Sequence, residues 1–413
     1  MNPQHNLFDL DDFIRRFVTK RERSLLADDL SRYDAELRQC LAGSRVLVIG
    51  GAGSIGSHYI KALLRFPVAK LVVVDNNENG LTELVRDLRS AGGYRIPSEF
   101  ITYPVNFADR VFEKLFHAHG PFDVVANFAA HKHVRSEKDI FSIEAMIENN
   151  VLRARRLLEL LARQPPRHFF CVSTDKAANP VNIMGASKKL MEELILAYAD
   201  RLPVKTARFA NVAFSNGSLP QGFLERLAKR QPWSCPLGIR RFFVSPMESG
   251  ELCLLASLIG ASGDIVFPKL DEARDMIGFD QVAVDLLHAL GMEPDICRSE
   301  EEARAKMEAV LKCGSSKVRE WPIYFFESDT SGEKAFEEFY TTGETLDLER
   351  FVNLGVVKNA KRREPADLDA MFVELERLFA RGTVTKADVV SVLRGYLPNF
   401  EHIEKGKGLD QRM

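Results

Sequence analysis

The sequence predicts a doubly wound α/β fold with a parallel central sheet, and three observations indicate it. First, short runs rich in Val, Ile and Phe lack polar alternation, as do strands that are buried on both faces. Second, amphipathic segments such as 57–66 and 150–163 alternate with these runs, and a parallel sheet needs such helical crossovers. Third, a glycine-rich turn directly follows the first run. The apolar runs lie at residues 45–50, 70–75, 100–105, 122–129 and 168–173.

The chain has 413 residues, more than one simple hydrophobic core needs, so we predict several packed units. Residues 45–213 carry the regular alternation of strands and helices, and residues 214–340 form a smaller mixed α/β domain able to interleave with them. Residues 1–44 and 341–413 are predicted as mostly helical extensions. Within the first extension, residues 8–41 show amphipathic helical patterns, which we expect to pack on the chain's own core.

Composition and charge argue against several classes of function. The formal net charge of −2, without a basic stripe in the sequence, gives no support for a nucleic-acid partner. The six cysteines include no CxxC pair and no His at metal-ligand spacing, which predicts reduced thiols and no bound metal. No apolar run has signal-peptide length, and none approaches the roughly 18 residues that span a bilayer. We therefore expect a cytoplasmic protein without a membrane partner.

The glycine-rich turn GGAGSIGS places Gly50, Gly53 and Gly56 between the first strand and a helix. Glycines in this pattern allow a tight turn and bring backbone N–H groups to a pyrophosphate at the positive end of the helix. Asp75 stands 19 residues beyond Gly56 at the end of the second strand, where a carboxylate accepts hydrogen bonds from ribose hydroxyls. The pattern predicts a Rossmann-type dinucleotide site. The alternative for Asp75 is a turn-forming residue before two asparagines.

The surroundings of Asp75 contain no Arg, which favours NAD and leaves NADP as the second choice. Residues after the other strands should border the cofactor too, because ligands of open parallel sheets bind at the carboxyl ends of the strands. Besides the glycines and Asp75, the residues predicted beside the cofactor are Ser54, Ile55, Asn76, Asn106, Ala129, Ala130, Lys132, Asn150, Ser173 and Lys188.

The stretch VSTDKAANPVNIMGASKK, residues 172–189, combines a strand end, a polar loop and the start of a helix. Met184 and Lys188 share one helix face, with the spacing of the catalytic Tyr and Lys of a large class of nucleotide-binding enzymes. A thioether cannot transfer a proton, so Met184 is predicted to pack as an apolar residue. Asp175 and Lys176 are adjacent ionisable groups just past the strand end, and together they could serve as acid and base.

The glycine pattern and the helical lysine together resemble the extended short-chain dehydrogenase/reductase (SDR) superfamily. Six stretches resemble, more narrowly, the Met-containing branch of the polysaccharide-biosynthesis nucleotide-sugar 4,6-dehydratases, which act on UDP-N-acetylglucosamine. STDKAANPVNIMGASK is the most specific of them. One departure is Ala210, where the family has Gly before Asn211. The six stretches are residues 50–57, 127–137, 173–188, 208–220, 240–248 and 331–339.

The resemblance implies roles for the residues of the 172–189 stretch. Asp175 would be the acid and Lys176 the base of water elimination. Thr174 would assist by hydrogen bonding, and Lys188 would bind the nicotinamide ribose. Met184 would take no part in proton transfer. NAD would be tightly bound and regenerated in each turnover.

The resemblance also implies a substrate, a product and an assembly. UDP-N-acetylglucosamine would become a UDP-4-keto-6-deoxy-N-acetylhexosamine for surface glycan or nonulosonic-acid synthesis. Subunits would pair through helices of the Rossmann domain into a homo-oligomer, either a dimer or a larger even assembly. The residues assigned to the nucleotide sugar are Lys132, His133, Asn211, Ser215, Ser218, Arg241 and Glu333.

Two alternative functions are open at this point. A UDP-sugar 4-epimerase needs no base at C5 and no acid at C6, so it gives Asp175 and Lys176 no task. A non-catalytic NAD-binding regulator gives no reason for that pair either. His133 could equally be a structural histidine, and the charges of Lys334, Glu337 and Glu338 could form a solvated helix face. The sequence does not identify the group that removes the C4 hydroxyl proton, nor the configuration at C5.

Overall fold

The computed structural model describes residues 8–312, 319–327, 338–358, 360 and 362–403. The strands, in chain order, are β1 Arg45–Ile49, β2 Lys70–Asp75, β3 Glu99–Pro104, β4 Val124–Asn127, β5 His168–Val172, β6 Val204–Ala207, β7 Asn211–Val212, β8 Trp233–Leu237, β9 Arg240–Val244, β10 Ile265–Pro268, β11 Met276–Gly278, β12 Glu293–Cys297, β13 Glu320–Glu327, β14 Thr345–Asp347 and β15 Leu354–Lys358.

The α-helices are α1 Leu10–Phe13, α2 Ala27–Arg32, α3 Asp34–Leu41, α4 Ser54–Leu63, α5 Glu78–Ser90, α6 Arg110–His119, α7 Ile140–Ile147, α8 Arg153–Arg163, α9 Ile183–Ala197, α10 Leu219–Ala228, α11 Pro246–Ile259, α12 Glu272–Asp275, α13 Phe279–Ala289, α14 Glu300–Lys312, α15 Pro365–Phe379 and α16 Lys386–Tyr396. Ile14–Val18 and Glu148–Leu152 are π-helical, and Val134–Glu137 and Asp175–Ala177 form 3₁₀ turns.

The central sheet has nine strands in the order β14-β15-β10-β6-β5-β4-β1-β2-β3. The strands from β10 to β3 run parallel, and β15 and β14 form an antiparallel edge. This confirms the predicted doubly wound α/β fold. Strand β1 lies between β2 and β4, so the chain order reverses there and leaves a crevice at the carboxyl ends of the strands.

The chain beyond residue 213 is divided between this sheet and a smaller lobe. Strands β10, β14 and β15 return to the central sheet, whereas β11-β9-β7 and β12-β13-β8 form two small sheets. In the lobe, Phe223 stacks on Trp233 with ring centres 4.7 Å apart, and Trp321 belongs to the same core. The region after residue 340 thus supplies two strands as well as the helices α15 and α16.

The N-terminal extension packs on the chain's own core, as predicted. Arg21 forms an ion pair of 2.7 Å with Glu248 near the start of α11. The buried Asp29 accepts hydrogen bonds from the backbone N–H groups of Val352 (2.6 Å) and Asn353 (2.8 Å). The extension therefore joins the loop before β15 to the start of α11.

The C-terminal helices α15 and α16 cover the apolar faces of α8 and α9. Leu375 and Leu393 from the C-terminal pair share one hydrophobic core with Leu158 and Leu194. Arg155 adds an ion pair of 2.6 Å to Asp369. The homo-oligomer stays a prediction. The faces of α8 and α9 that α15 and α16 cover cannot form its subunit interface.

In the part of the chain that the structure describes, no helix is long and apolar enough to cross a membrane. The cysteines described there are free thiols, namely Cys40, Cys171, Cys235, Cys253 and Cys297. Four of these five are buried, which limits their reactivity.

Candidate active site

The glycine-rich turn lies between β1 and α4 and lines a cleft at the carboxyl ends of the strands. Gly50 has a φ of 75°, and a Cβ on it would lie 2.5 Å from the backbone nitrogen of Ala129. A Cβ on Gly56 would lie 2.3 Å from the carbonyl oxygen of Gly50. Both positions therefore require glycine. Helix α4 starts at Ser54 with Gly53 as its N-cap, so its positive end borders the cleft.

Asp75 is held at the rim of this cleft by two backbone groups. Its Oδ2 accepts from the N–H of Ala52 and its Oδ1 from the N–H of Asn77, both at 2.9 Å. Each carboxylate oxygen keeps a further lone pair for a ligand hydroxyl. Asn76 and Asn106 line the same cleft.

The end of β4 forms the opposite wall. Ala129 and Ala130 line the cleft as predicted, and the N–H of Ala129 donates to Asn127 Oδ1 at 3.0 Å. His131 and Asn149 also line it, although neither was predicted from the sequence. The signal for His131 was present, because it directly follows the two alanines at the same strand end.

Asn150 supports this wall through its side-chain amide, and its predicted contact with the cofactor stays a prediction. Its Oδ1 accepts from the N–H of His131 (2.9 Å) and from Asn149 Nδ2 (3.3 Å). Its Nδ2 donates to the carbonyl of His131 (2.9 Å) and to Ser187 Oγ (3.0 Å). All four hydrogen-bonding positions of the amide are in use within the protein. The π-helical segment Glu148–Leu152 produces this orientation, and such segments are frequent at functional sites.

Asp175 and Lys176 form an ion pair just past the carboxyl end of β5. Lys176 Nζ lies 3.1 Å from Asp175 Oδ1, and the side chains are 19% and 5% exposed, respectively. The hydroxyl of Thr174 donates to the same Oδ1 at 2.8 Å, and the backbone N–H of Lys176 does so at 2.9 Å. The predicted acid, base and hydrogen-bonding aid are therefore brought together at one point.

Helix α9 carries Met184 and Lys188 beside this pair. Met184 is buried in the core and is 2% exposed. Lys188 Nζ donates to the carbonyl of Val172 at 2.6 Å, and burial lowers the pKa of this lysine. A Cβ on Gly185 would lie 2.7 Å from the carbonyl oxygen of Lys176, so glycine there lets the loop pack against the helix.

Ser173, another residue predicted at the cofactor, donates its hydroxyl to Glu192 at 3.1 Å. Glu192 is also bound by Arg208, which in turn forms an ion pair of 2.8 Å with Glu344. Ser173, Arg208 and Glu192 are buried. In the structure, Ser173 therefore belongs to a buried ionic network beneath the site.

The loop after β7 meets the glycine-rich turn. The backbone N–H of Asn216 donates to Ser54 Oγ at 2.9 Å. Phe214 is a buried aromatic residue with a φ of 52°, a conformation that costs energy in any residue but glycine. A Cβ on Gly217 would lie 2.7 Å from the His133 ring, so this ring packs against the loop. Ser215 lies between these contacts and is partly buried.

The other residues assigned to the nucleotide sugar have differing environments. Ser218 caps α10 by accepting from the N–H of Gln221 at 3.3 Å, and Arg241 is buried on β9. Asn211 Nδ2 is buried without a hydrogen-bond partner in the described protein, which costs roughly 1–3 kcal/mol unless a ligand satisfies it. Lys132 is exposed to solvent, yet the surrounding protein displaces water and lowers its pKa.

Two predictions fall at the limit of the described residues. Glu333, Lys334 and Glu337 lie outside them. Glu338 is described, and its Oε2 accepts a hydrogen bond from Asn179 Nδ2 at 2.7 Å. Asn179 is close in sequence to the Asp175–Lys176 pair. No group of three His, Cys, Asp or Glu side chains within residues 8–312, 319–327, 338–358 and 362–403 could hold a metal ion.

This chain matches the model of the polysaccharide biosynthesis protein family over residues 46–320. An uncharacterized membrane protein of Methanocaldococcus jannaschii is 33% identical over 257 residues, 60% of this chain and 74% of that protein. The probable polysaccharide biosynthesis protein EpsC of Bacillus subtilis is 27% identical over 262 residues, 62% of this chain and 42% of EpsC. The chain therefore matches less than half of EpsC.

A sugar-nucleotide epimerase is also similar to this chain over a region of comparable length. A UDP-glucose 4-epimerase of Rickettsia typhi is 30% identical over 231 residues, 54% of this chain and 65% of that enzyme.

Two solved structures share the fold. Pen from Bacillus thuringiensis has a TM-score of 0.58 at 20% identity and covers 78% of this chain and 90% of its own. The dTDP-glucose 4,6-dehydratase DesIV from Streptomyces venezuelae has a TM-score of 0.51 at 18% identity. The match covers 81% of this chain and 97% of the DesIV chain. These identities support the fold alone. Because the family model matches more than half of the chain, the chain belongs to the polysaccharide biosynthesis protein family.

Proposed function

We propose that the protein is a UDP-N-acetylglucosamine 4,6-dehydratase with tightly bound NAD. The observation that carries the proposal is the Asp175–Lys176 pair, whose carboxylate and ammonium groups lie 3.1 Å apart at the carboxyl end of β5. The position that holds a catalytic Tyr in related enzymes is occupied here by the buried Met184. A site with this pair and without the Tyr fits elimination of water better than other SDR chemistry.

The residues that line the cleft fit NAD. Gly50 and Gly56 let the backbone of the turn pack closely, which would bring its N–H groups to a pyrophosphate, and α4 directs its positive end there. Asp75 would accept from the adenosine ribose hydroxyls, and Lys188 would bind the nicotinamide ribose. When bound, NAD supplies the acceptor for hydride from C4 of the sugar and the source of hydride for C6.

The two ionisable side chains would divide the elimination between them. Once C4 is a ketone, the proton on C5 is acidic, and Lys176 in its neutral form would remove it. Asp175 in its protonated form would give a proton to the C6 hydroxyl, which leaves as water. As hydride is returned to C6, the protonated Lys176 would give its proton back to C5, and the proton released from the C4 hydroxyl would restore the acid form of Asp175 for the next turnover. The sugar loses one water overall, and the carbon skeleton keeps its oxidation level.

The substrate assignment rests on β7, its neighbour β9 and the loop after β7. The unpartnered amide of Asn211 would donate to an oxygen of the nucleotide sugar. The buried Arg241 on the neighbouring strand β9 has the planar donor geometry that suits a phosphate. The contact of Asn216 with Ser54 brings this loop to the glycine-rich turn, so both halves of the site would close around their ligands.

A UDP-sugar 4-epimerase is the second candidate, and the similarity to the Rickettsia typhi enzyme favours it. Epimerisation at C4 needs a group that exchanges a proton with the C4 hydroxyl, and Met184 cannot do this. The reaction would also leave the buried Asp175–Lys176 pair without a task. We therefore rank the dehydratase first.

One experiment separates these functions. The purified protein is incubated with UDP-N-acetylglucosamine, with no cofactor beyond what co-purifies, and the nucleotide sugar is followed by mass spectrometry. If the protein is a dehydratase, the mass of the nucleotide sugar should decrease by the mass of one water. An unchanged mass with inverted C4 would establish the epimerase, and an unchanged substrate would favour a non-catalytic NAD-binding regulator.

Gly56→Ala should weaken the retention of NAD by at least about tenfold, roughly 1.4 kcal/mol in binding free energy. The added Cβ would lie 2.3 Å from the carbonyl oxygen of Gly50, so the phosphate-binding turn must open. The NAD released from denatured protein measures the effect. Gly382→Ala is the control, because a Cβ there meets nothing within 4 Å. Equal NAD content in both variants would contradict the predicted cofactor site.

Met184→Leu should keep dehydration within about tenfold of the unmodified protein, because both side chains are apolar and similar in volume. Steady-state rates with UDP-N-acetylglucosamine measure it. Met307→Leu, the same change at a buried site in the smaller lobe, controls for repacking. A loss of more than about 1000-fold, roughly 4 kcal/mol in the barrier, would assign the sulfur a role in the reaction.

A further inference from the structure

Residues 174–183, which we name the catalytic loop, carry Asp175 and Lys176 and lead into α9. Two remote segments bind the loop directly. The N–H of Ile403 donates to the carbonyl of Val181 at 3.0 Å, and Asn179 Nδ2 donates to Glu338 at 2.7 Å. The loop is thus held by the chain's C-terminal segment as well as by its own sheet.

Glu137 holds the next turn, where the loop becomes α9. Its Oε1 accepts from the backbone N–H of Met184 at 3.0 Å. This N–H belongs to the first turn of the helix and has no partner within the helix itself. A carboxylate at that place also faces the positive end of the helix dipole. With Asn182, whose Oδ1 accepts from the N–H of Gly185 at 2.7 Å, Glu137 fixes where α9 starts.

His402 binds the other oxygen of this carboxylate. Its Nε2 lies 3.3 Å from Glu137 Oε2, and the two side chains are 8% and 9% exposed. Phe400, two residues earlier, is buried in the same core as α9 and anchors the segment. A carboxylate bonded through both oxygens has one orientation, whereas a carboxylate bonded through one can rotate about it.

We propose that His402 is a positioning residue of the active site. By holding the carboxylate of Glu137, it fixes the first turn of α9 and thereby Met184, Lys188 and the catalytic loop. Its effect on turnover rests on the proposed dehydratase function, whereas its effect on the loop does not. The region matched by the family model ends at residue 320, so this contribution lies outside it.

His402→Ala tests the proposal in the full chain. We expect kcat for UDP-N-acetylglucosamine to fall by about tenfold or more, since small displacements of reacting groups are costly, while KM stays within about twofold. The content of bound NAD should not change. His402→Gln should recover most of the loss, because its amide N–H can donate to the same oxygen of Glu137. Hydrogen exchange of the amides in residues 175–184 should be faster in His402→Ala and normal in His402→Gln.

His288→Ala is the matched control. His288 also contacts a carboxylate, Glu293 at 3.1 Å, but this pair is on the surface of the smaller lobe. Wild-type kcat or wild-type exchange in His402→Ala would overturn the proposal. Equal loss in His402→Ala and His402→Gln would overturn it too, since a general packing defect would then explain both. If the unmodified protein leaves UDP-N-acetylglucosamine unchanged, the proposed function fails, and the exchange comparison still decides whether His402 holds the loop.

Discussion

Lys176→Ala should lower the rate of dehydration by about 1000-fold or more, roughly 4 kcal/mol in the activation barrier, while NAD stays bound. The variant removes the group proposed to take the C5 proton, and alanine offers no substitute. The glycine-rich turn and Asp75, which would hold the cofactor, are unaffected because they lie at the ends of other strands. Product formation by mass spectrometry and the NAD content of the same sample measure the two halves of the prediction.

Folding is not expected to limit the result of this substitution. Lys176 keeps 19% of its side chain exposed, so its loss opens no cavity in the core. Its removal does leave the buried Asp175 without a cation, and the thermal midpoint should therefore be measured alongside activity. Lys114→Ala on the exposed face of α6 is the control for loss of a positive charge. Turnover near that of the control would exclude Lys176 as the base.

The features predicted correctly from the sequence are those set by nearby residues. All five predicted strands are present, because an unbroken apolar run indicates a buried strand wherever its neighbours lie. The exception in burial is β3, which is partly exposed because it forms the edge of the sheet. Strand order depends on pairing between distant segments. For this reason the return of β10, β14 and β15 to the central sheet did not follow from local pattern.

The same distinction applies to the site. Asp175 and Lys176 are adjacent in the chain, so their proximity needed no tertiary information. The role of Asn150 depends on a π-helical segment that turns its amide toward His131, and composition does not indicate that turn. Glu137 and His402 are 265 residues apart, and no periodicity connects them. Supporting residues are therefore the part of an active site that a single sequence reveals least.

Arg208→Met should destabilise the protein by about 3–5 kcal/mol at neutral pH, the usual cost of breaking a buried ion pair by removing one partner. Arg208 is fully buried and lies 2.7 Å from Glu192 and 2.8 Å from Glu344. Chemical denaturation gives the free energy of unfolding. Arg86→Met is the matched control, because Arg86 and Glu83 form an ion pair with both side chains 69% exposed, and its loss should cost less than about 1 kcal/mol.

The pH dependence of this difference identifies its cause. Burial by itself would raise the pKa of Glu192, but Arg208 and Lys189 outweigh it and lower that pKa to about 2. The ionised Glu192 therefore stabilises the native protein above its ordinary pKa of roughly 4.3, and this contribution is lost as pH falls toward 2. Without Arg208, burial raises the pKa of Glu192 relative to its value in the unmodified protein. Protonation of Glu192 then removes the buried charge and lessens the destabilisation of the variant. The two proteins should consequently approach each other in stability as the medium becomes acidic.

A triple variant, Arg208→Met with Glu192→Gln and Glu344→Gln, tests the same cause at constant pH. Neutral amides remove the buried charges that Arg208→Met leaves behind, so the triple variant should be more stable than the single one. If the single and triple variants have the same free energy of unfolding at neutral pH, the loss comes from packing around the arginine. Recovery in the triple variant would instead show that the loss comes from carboxylates left without Arg208, one of which, Glu192, accepts the hydroxyl of Ser173 just before the catalytic loop.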